Sequence, residues 1–99
     1  MSTDSPIDGR VEVLLIDDDP HLRQALSQTL DLAGLKVLAL DSADGVGERL
    51  DADWPGVVVS DIRMPGVDGL RLLETLHVRD PGLPVLLITG HLSLIHISE

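Results

Sequence analysis

The chain has 99 residues, 43% of them hydrophobic, with 17 acidic side chains against 7 basic ones and a formal net charge of −10. Such a length is at most one domain, able to bury roughly two-thirds of its unfolded surface, and with Trp54 as its sole aromatic residue the core must be aliphatic. The acidic balance argues against nucleic acid and anionic membranes, the lack of cysteine excludes disulfides and thiolate metal sites, and no run approaches the ~18 apolar residues of a membrane span. The first ten residues lack the apolar segment of a secretory signal, so a cytoplasmic protein is expected.

Residues 1–10 are polar, with Pro6 and Gly9, and read as a flexible lead-in. Val11–Ile16 is nearly all apolar, the pattern of a strand covered on both faces, and it runs directly into Asp17, Asp18 and Asp19. Pro20 suits a first helical turn with Asp19 as its N-cap. Leu22, Ala25, Leu26, Thr29, Leu30 and Ala33 follow at helical spacing, and Gly34 is placed for a stop. Leu35–Leu40 predicts a second strand. Ser42 predicts a weak helix to about Leu50, loosened by Gly45 and Gly47. Val57–Ser60 is β-branched and apolar, a central strand that ends in Asp61. After a break at Met64-Pro65-Gly66, Asp68 is a candidate N-cap for a helix with Leu70, Leu73, Leu76 and His77 on one face, ended by Asp80-Pro81-Gly82. Val85–Ile88 predicts a fourth strand, closing at Thr89-Gly90. The alternation of strands and helices predicts a parallel α/β sheet with right-handed crossovers.

Two of these strands end in carboxylates. If they are parallel neighbours, Asp17, Asp18 and Asp61 converge beyond the carboxyl ends of the strands, where open α/β sheets place their sites. Clustered carboxylates resist full ionisation unless a cation joins them. Mg²⁺ prefers six oxygens, a few of them from protein, and Asp17, Asp18, Asp61 and a carbonyl just past Asp61 form a suitable set. A carboxylate so placed is a competent phosphoryl acceptor, because the cation neutralises the incoming oxygens and holds the two groups in line. The plainer reading treats Asp17 and Asp18 as acids favoured at a helix N-terminus, and Asp61 as a turn residue. The Thr89 hydroxyl could reach an oxygen of a phosphoryl group on Asp61. The four histidines are scattered without zinc-site spacing, Gly45-Val46-Gly47 is no dinucleotide loop, and Trp54 reads as a packing residue.

Three segments carry a family resemblance: Leu14-Leu15-Ile16-Asp17-Asp18-Asp19, Val58-Val59-Ser60-Asp61-Ile62-Arg63-Met64-Pro65-Gly66-Val67-Asp68-Gly69, and Leu83-Pro84-Val85-Leu86-Leu87-Ile88-Thr89-Gly90. In order and spacing, residues 11–91 resemble a receiver domain of two-component response regulators. The wording is similar to receivers of σ54-dependent, NtrC-type regulators, those of C4-dicarboxylate transport among them. The resemblance implies a flavodoxin-like fold with strand order 2-1-3-4 as far as the fourth strand. It also implies Asp61 as phosphoacceptor for a sensor histidine kinase, and Mg²⁺ held by Asp17, Asp18, Asp61 and the backbone carbonyl of Arg63. Thr89 becomes the switch hydroxyl, and the readout an ATPase and a DNA-binding domain outside this chain. Homodimers of such regulators form through a fourth-helix to fifth-strand face that this chain lacks.

The chain also departs from that pattern. A receiver has a lysine at the end of its fifth strand, whereas the sole lysine here is Lys36, and there is no Phe or Tyr to act as switch partner. Leu92 to Glu99 does not resemble receiver sequence and is similar to translated sequencing-adapter sequence, which suggests a truncated or chimeric frame. Val85–Ile88 would then be an unpaired apolar edge, unless the tail, too short for a helical crossover, returns as a hairpin. Three functions compete on this reading. One is a phosphoacceptor signalling module. Another is a phosphorylation-incompetent receiver fragment that acts only through protein interaction. The third is a haloacid-dehalogenase-type phosphohydrolase, disfavoured because His21 stands where that motif needs Thr or Val.

Overall fold

The computed structural model describes residues 7–50, 53–62 and 69–88, together with the backbone of residues 94–97. Strands β1 (Val13–Ile16), β2 (Val37–Leu40), β3 (Val57–Asp61), β4 (Val85–Ile88) and β5 (Leu94–Ile97) form one sheet in the order β2-β1-β3-β4-β5. The first four pair in parallel, in the expected order 2-1-3-4. Helix α1 (Pro20–Leu32) follows β1, the short α2 (Val46–Arg49) follows β2, and α3 (Gly69–Arg79) follows β3.

The main core lies on one face. Leu14, Ile16, Val58, Val85 and Leu87 from the strands meet Leu72 and Leu76 of α3, with Ala43, Val46, Leu50 and Trp54 beside them. Alternate strand residues point to opposite faces, so Val13 and Leu15 look the other way, toward the side of α1. All four residues of β1 are buried, which accounts for its unbroken apolar sequence. The α1 side is thinner. No residue of that helix is fully buried: Leu22, Leu26 and Leu30 are half-covered, while Ala25, Thr29 and Ala33 are exposed.

Both ends of α1 form as the sequence predicts. The Asp19 carboxylate accepts from the N–H groups of His21 (2.9 Å) and Leu22 (3.3 Å), and Pro20 opens the helix. At the other end Gly34 takes φ +89°, a conformation that costs a residue with a Cβ. There the Gly34 N–H donates to Asp31 O and the Leu35 N–H to Leu30 O, closing the helix with a Schellman pair.

Several expectations need correction. In α3 the buried residues are Gly69, Leu72 and Leu76, with Leu73 half-buried, whereas Leu70 is 50% exposed and His77 is exposed. Leu73 and Leu76 stay on the covered face, but the apolar stripe is rotated by about a sixth of a turn from the Leu70–His77 reading, because consecutive leucines at 72 and 73 fit either register. The predicted helix from Ser42 shrinks to a single turn at Val46–Arg49. The lead-in is tied down from Ile7, which is 6% exposed in the core and whose N–H donates to Arg49 O at 2.9 Å. Asp68, the candidate cap of α3, lies outside the described residues.

The tail resolves the edge problem in favour of the hairpin. Leu94–Ile97 runs antiparallel to β4, pairing Ile88 with Leu94 and Val85 with Ile97, so β4 is not an edge. Removing residues 94–99 is predicted to leave β4 as an open apolar edge. The expected outcome is a lower melting temperature and concentration-dependent oligomers by light scattering; an unchanged monomer with the same melt would show that β5 does not protect the sheet.

Candidate metal centre

The parallel register builds the site. Ile16 pairs with Ser60 across β1 and β3, so the residues that follow, Asp17 and Asp61, emerge side by side at the carboxyl end of the sheet. One carboxylate oxygen each from Asp17, Asp18 and Asp61 lies within 4.8 Å of the others. Asp17 is fully buried, Asp61 half-buried and Asp18 exposed, so the cluster opens to solvent on the Asp18 side. The structure thus brings together the three carboxylates that the sequence nominated. The other two nominated groups, the Arg63 carbonyl and Thr89, lie outside the described residues.

Asp17 is the unusual member. Its Oδ1 accepts from the Asp19 N–H at 2.9 Å, but its buried Oδ2 has no hydrogen-bond partner among the described residues. Burial pushes its carboxyl above the ordinary value of 3.8; the negative charges of Asp61, Asp18 and Asp19 push the same way, against the lowering effect of the Asp19 N–H. A buried carboxylate oxygen without a donor, aimed among two further carboxylates, fits a hard divalent cation better than a proton donor.

Two contacts hold the acids in place that sequence reading did not single out. Arg23 Nη1 donates to the Asp17 carbonyl at 2.8 Å. Gly69 starts α3 against the end of β3: its N–H donates to Ile62 O at 3.0 Å, and a Cβ there would collide with the Asp61 carbonyl and with Ile62 Cα. Gly69 is eight residues beyond Asp61, and that it packs on the end of β3 could not be read from local spacing. Arg23 left no local signal either. Ser60, fully buried, donates through its hydroxyl to Asp61 O at 3.0 Å.

A flavodoxin-like parallel sheet carrying an acidic triad past β1 and β3 is the architecture of signalling receivers, and the comparisons agree. The response regulator receiver domain family model matches residues 13–99, and the chain belongs to that family. It is 66% identical over 91 residues to the C4-dicarboxylate transport transcriptional regulatory protein DctD of Pseudomonas aeruginosa, covering 92% of this chain and 20% of that protein. To DctD of Rhizobium meliloti it is 53% identical over 79 residues, 80% of this chain and 17% of the relative. It therefore spans about a fifth of the length of these curated relatives. Among solved structures, response regulator StyR superimposes with a TM-score of 0.74 at 36% identity, over 81% of this chain and 40% of that one. The beryllofluoride-activated NtrC receiver domain gives 0.63 at 41%, over 83% and 66%.

The raised pKa of Asp17 has a consequence for stability. With the folded value above the unfolded one, the neutral carboxyl favours the fold. That contribution is complete below the unfolded value and is lost as pH rises through the folded value. When Asp17 is ionised without a cation, its charge is buried and one of its oxygens has no donor among the described residues. Asp17→Asn keeps the acceptor for the Asp19 N–H and removes the charge. It is predicted to stabilise the EDTA-treated protein at pH 7 by about 1–3 kcal/mol, the cost of an unsatisfied buried polar group, with the gap to the parent narrowing as pH falls. The same variant loses stabilisation by added Mg²⁺. Thermal melts across pH with and without metal test both halves; a variant less stable than the parent at pH 7 in EDTA overturns the account.

Proposed function

We propose that this chain is the phosphoacceptor module of a two-component response regulator, with Asp61 as the residue that takes the phosphoryl group. The observation that carries the reading is the half-buried Asp61 carboxylate sharing one 4.8 Å cluster with the buried Asp17 and the exposed Asp18. Asp17, Asp18 and Asp61 are the side chains that hold Mg²⁺, with the Arg63 carbonyl as a backbone ligand. When bound, the cation neutralises phosphoryl oxygens and favours in-line transfer. The remaining work falls to the chain itself. Asp61 presents a nucleophilic oxygen at the mouth of the cluster, and Asp17 supplies charge from the buried side. Ser60 and Gly69 fix the Asp61 backbone from two directions.

Thr89 is the hydroxyl that follows the phosphoryl group. Its immediate predecessor, Ile88, pairs with Asp61 in the β3–β4 ladder, and the Ile62 N–H donates to Ile88 O at 3.0 Å. The partner in phosphotransfer is a sensor histidine kinase in the cytoplasm, and the output is an ATPase and DNA-binding part such as a transcriptional regulator of the DctD type carries. Among the described residues no helix is long and apolar enough to cross a membrane.

One observation favours the second reading, a receiver that binds a cation but is phosphorylated poorly. Lys36, the sole lysine, stands just before β2 at the opposite end of the sheet, its N–H donating to Glu12 Oε1 at 2.9 Å. No lysine ammonium in this chain is placed to pair with a phosphoryl group on Asp61. A beryllofluoride titration with and without Mg²⁺, followed by amide NMR, separates the two. The phosphoacceptor reading predicts Mg²⁺-dependent binding that is abolished in Asp61→Asn. Mg²⁺ shifts without any beryllofluoride response would establish the second reading, and beryllofluoride binding retained in Asp61→Asn would remove Asp61 from the role.

A further inference from the structure

Asp17 is held at three of its four polar groups. Its N–H donates to Leu40 O at 3.0 Å, its carbonyl accepts from Arg23 Nη1 at 2.8 Å, and its Oδ1 accepts from the Asp19 N–H at 2.9 Å. Only Oδ2, buried and unpartnered, is left for a ligand. Of the three holding groups, two are backbone and fixed by the strand ladder and the helix cap. Arg23 is the one side chain.

Its position explains the reach. Helix side chains lean toward the helix N-terminus, and Arg23 stands one turn into α1, with its own N–H on Asp19 O at 2.9 Å. A long side chain at that point reaches back past the N-cap to the end of β1. The carbonyl it grips belongs to the peptide between Asp17 and Asp18, and rotation of that peptide plane would swing the two carboxylates relative to each other. A planar guanidinium on the carbonyl removes that freedom with a directional, charge-assisted bond.

We propose that Arg23 is a positioning residue of the cation site, fixing the peptide between Asp17 and Asp18 so that their carboxylates are spaced for a divalent ion. The inference rests on the reading of the cluster as a cation site. It concerns a group that touches neither the ion nor the phosphoryl group and acts through the ligands it holds, a class of contact whose loss costs ~10–100-fold in metal affinity.

The test is the Mn²⁺ dissociation constant of the full chain, read from the free-ion electron paramagnetic resonance signal, alongside melting in EDTA. Arg23→Met, which keeps the apolar stem and loses the donors, is expected to weaken binding about tenfold or more. Arg23→Lys, which keeps a donor and the charge, is expected to recover most of that loss. Leu83→Ala, a core truncation before β4 at the opposite end of the sheet, is expected to lower the melting temperature and leave the dissociation constant unchanged. Equal Mn²⁺ affinity in Arg23→Met and the parent overturns the inference while leaving the cation site standing; so does a loss in Leu83→Ala as large as that in Arg23→Met. A parent that binds no Mn²⁺ removes the cation site itself, and the role of Arg23 with it. Where the methionine variant does not melt cooperatively, Arg23→Gln carries the comparison with Arg23→Lys.

Discussion

Asp17 follows four consecutive buried residues and has no exposed surface of its own, although it is a carboxylate. Burying an ionised group without a full complement of donors is costly, and here one oxygen has none while Asp18 and Asp61 add repulsion. The fold accepts this at the point where the strongest strand of the sheet ends. A cation is the one simple ligand that reverses the sign of every one of these interactions at once. The cost of burying Asp17 beside two carboxylates and the attraction of such a cluster for a cation are therefore the same interaction seen from two sides.

The supports of that carboxylate are unevenly distributed. On the α3 face, Leu72 and Leu76 seal a dense core and Gly69 sets α3 directly onto the end of β3, so Asp61 is located by close packing. On the other face, α1 buries none of its residues completely, yet its N-cap supplies the Asp19 N–H and its first turn the Arg23 guanidinium that hold Asp17. Asp61 is thus fixed by contact and Asp17 by hydrogen bonds from a lightly packed helix. Anything that shifts α1 on the sheet shifts one half of the cluster relative to the other, which couples the docking of that helix to the geometry of the acids.

The features legible in the sequence were those that depend on one residue and its near neighbours. Asp19 and Pro20 announce the start of α1 and Gly34 its end, because capping needs those side chains or that φ. The parallel sheet followed from the alternation of strands and helices, its strand order from the receiver resemblance, and the three carboxylates from strand ends that carry acids. What the sequence did not reveal depends on distance or on choices between near-equal patterns. Leu72 and Leu73 permit two orientations of α3, and tertiary packing on β1 and β3 selects the one that exposes Leu70. Ile7 joins the core because α2 and Trp54 leave an apolar space beside the start of the chain, which no local pattern announces. The Arg23 contact spans six residues and two elements, and an arginine in the first turn of a helix ordinarily reads as a solvated charge.

The antiparallel strand that departs from the receiver pattern lies at one edge of the sheet, and the cluster lies at its centre. Its side chains come from the ends of β1 and β3, adjacent strands at the centre, with β2 and β4 flanking them in the expected register. The acids, the cap, the arginine and the glycine that hold them are all within residues 17–69. Beyond β4 the sheet continues with an antiparallel strand, so the surface there is built from different elements than a parallel crossover would supply. The carboxylate cluster depends on the two central strands and is a local feature. The acidic cluster is therefore built by the parallel part of the sheet, and the antiparallel β5 lies one strand removed from it, beyond β4.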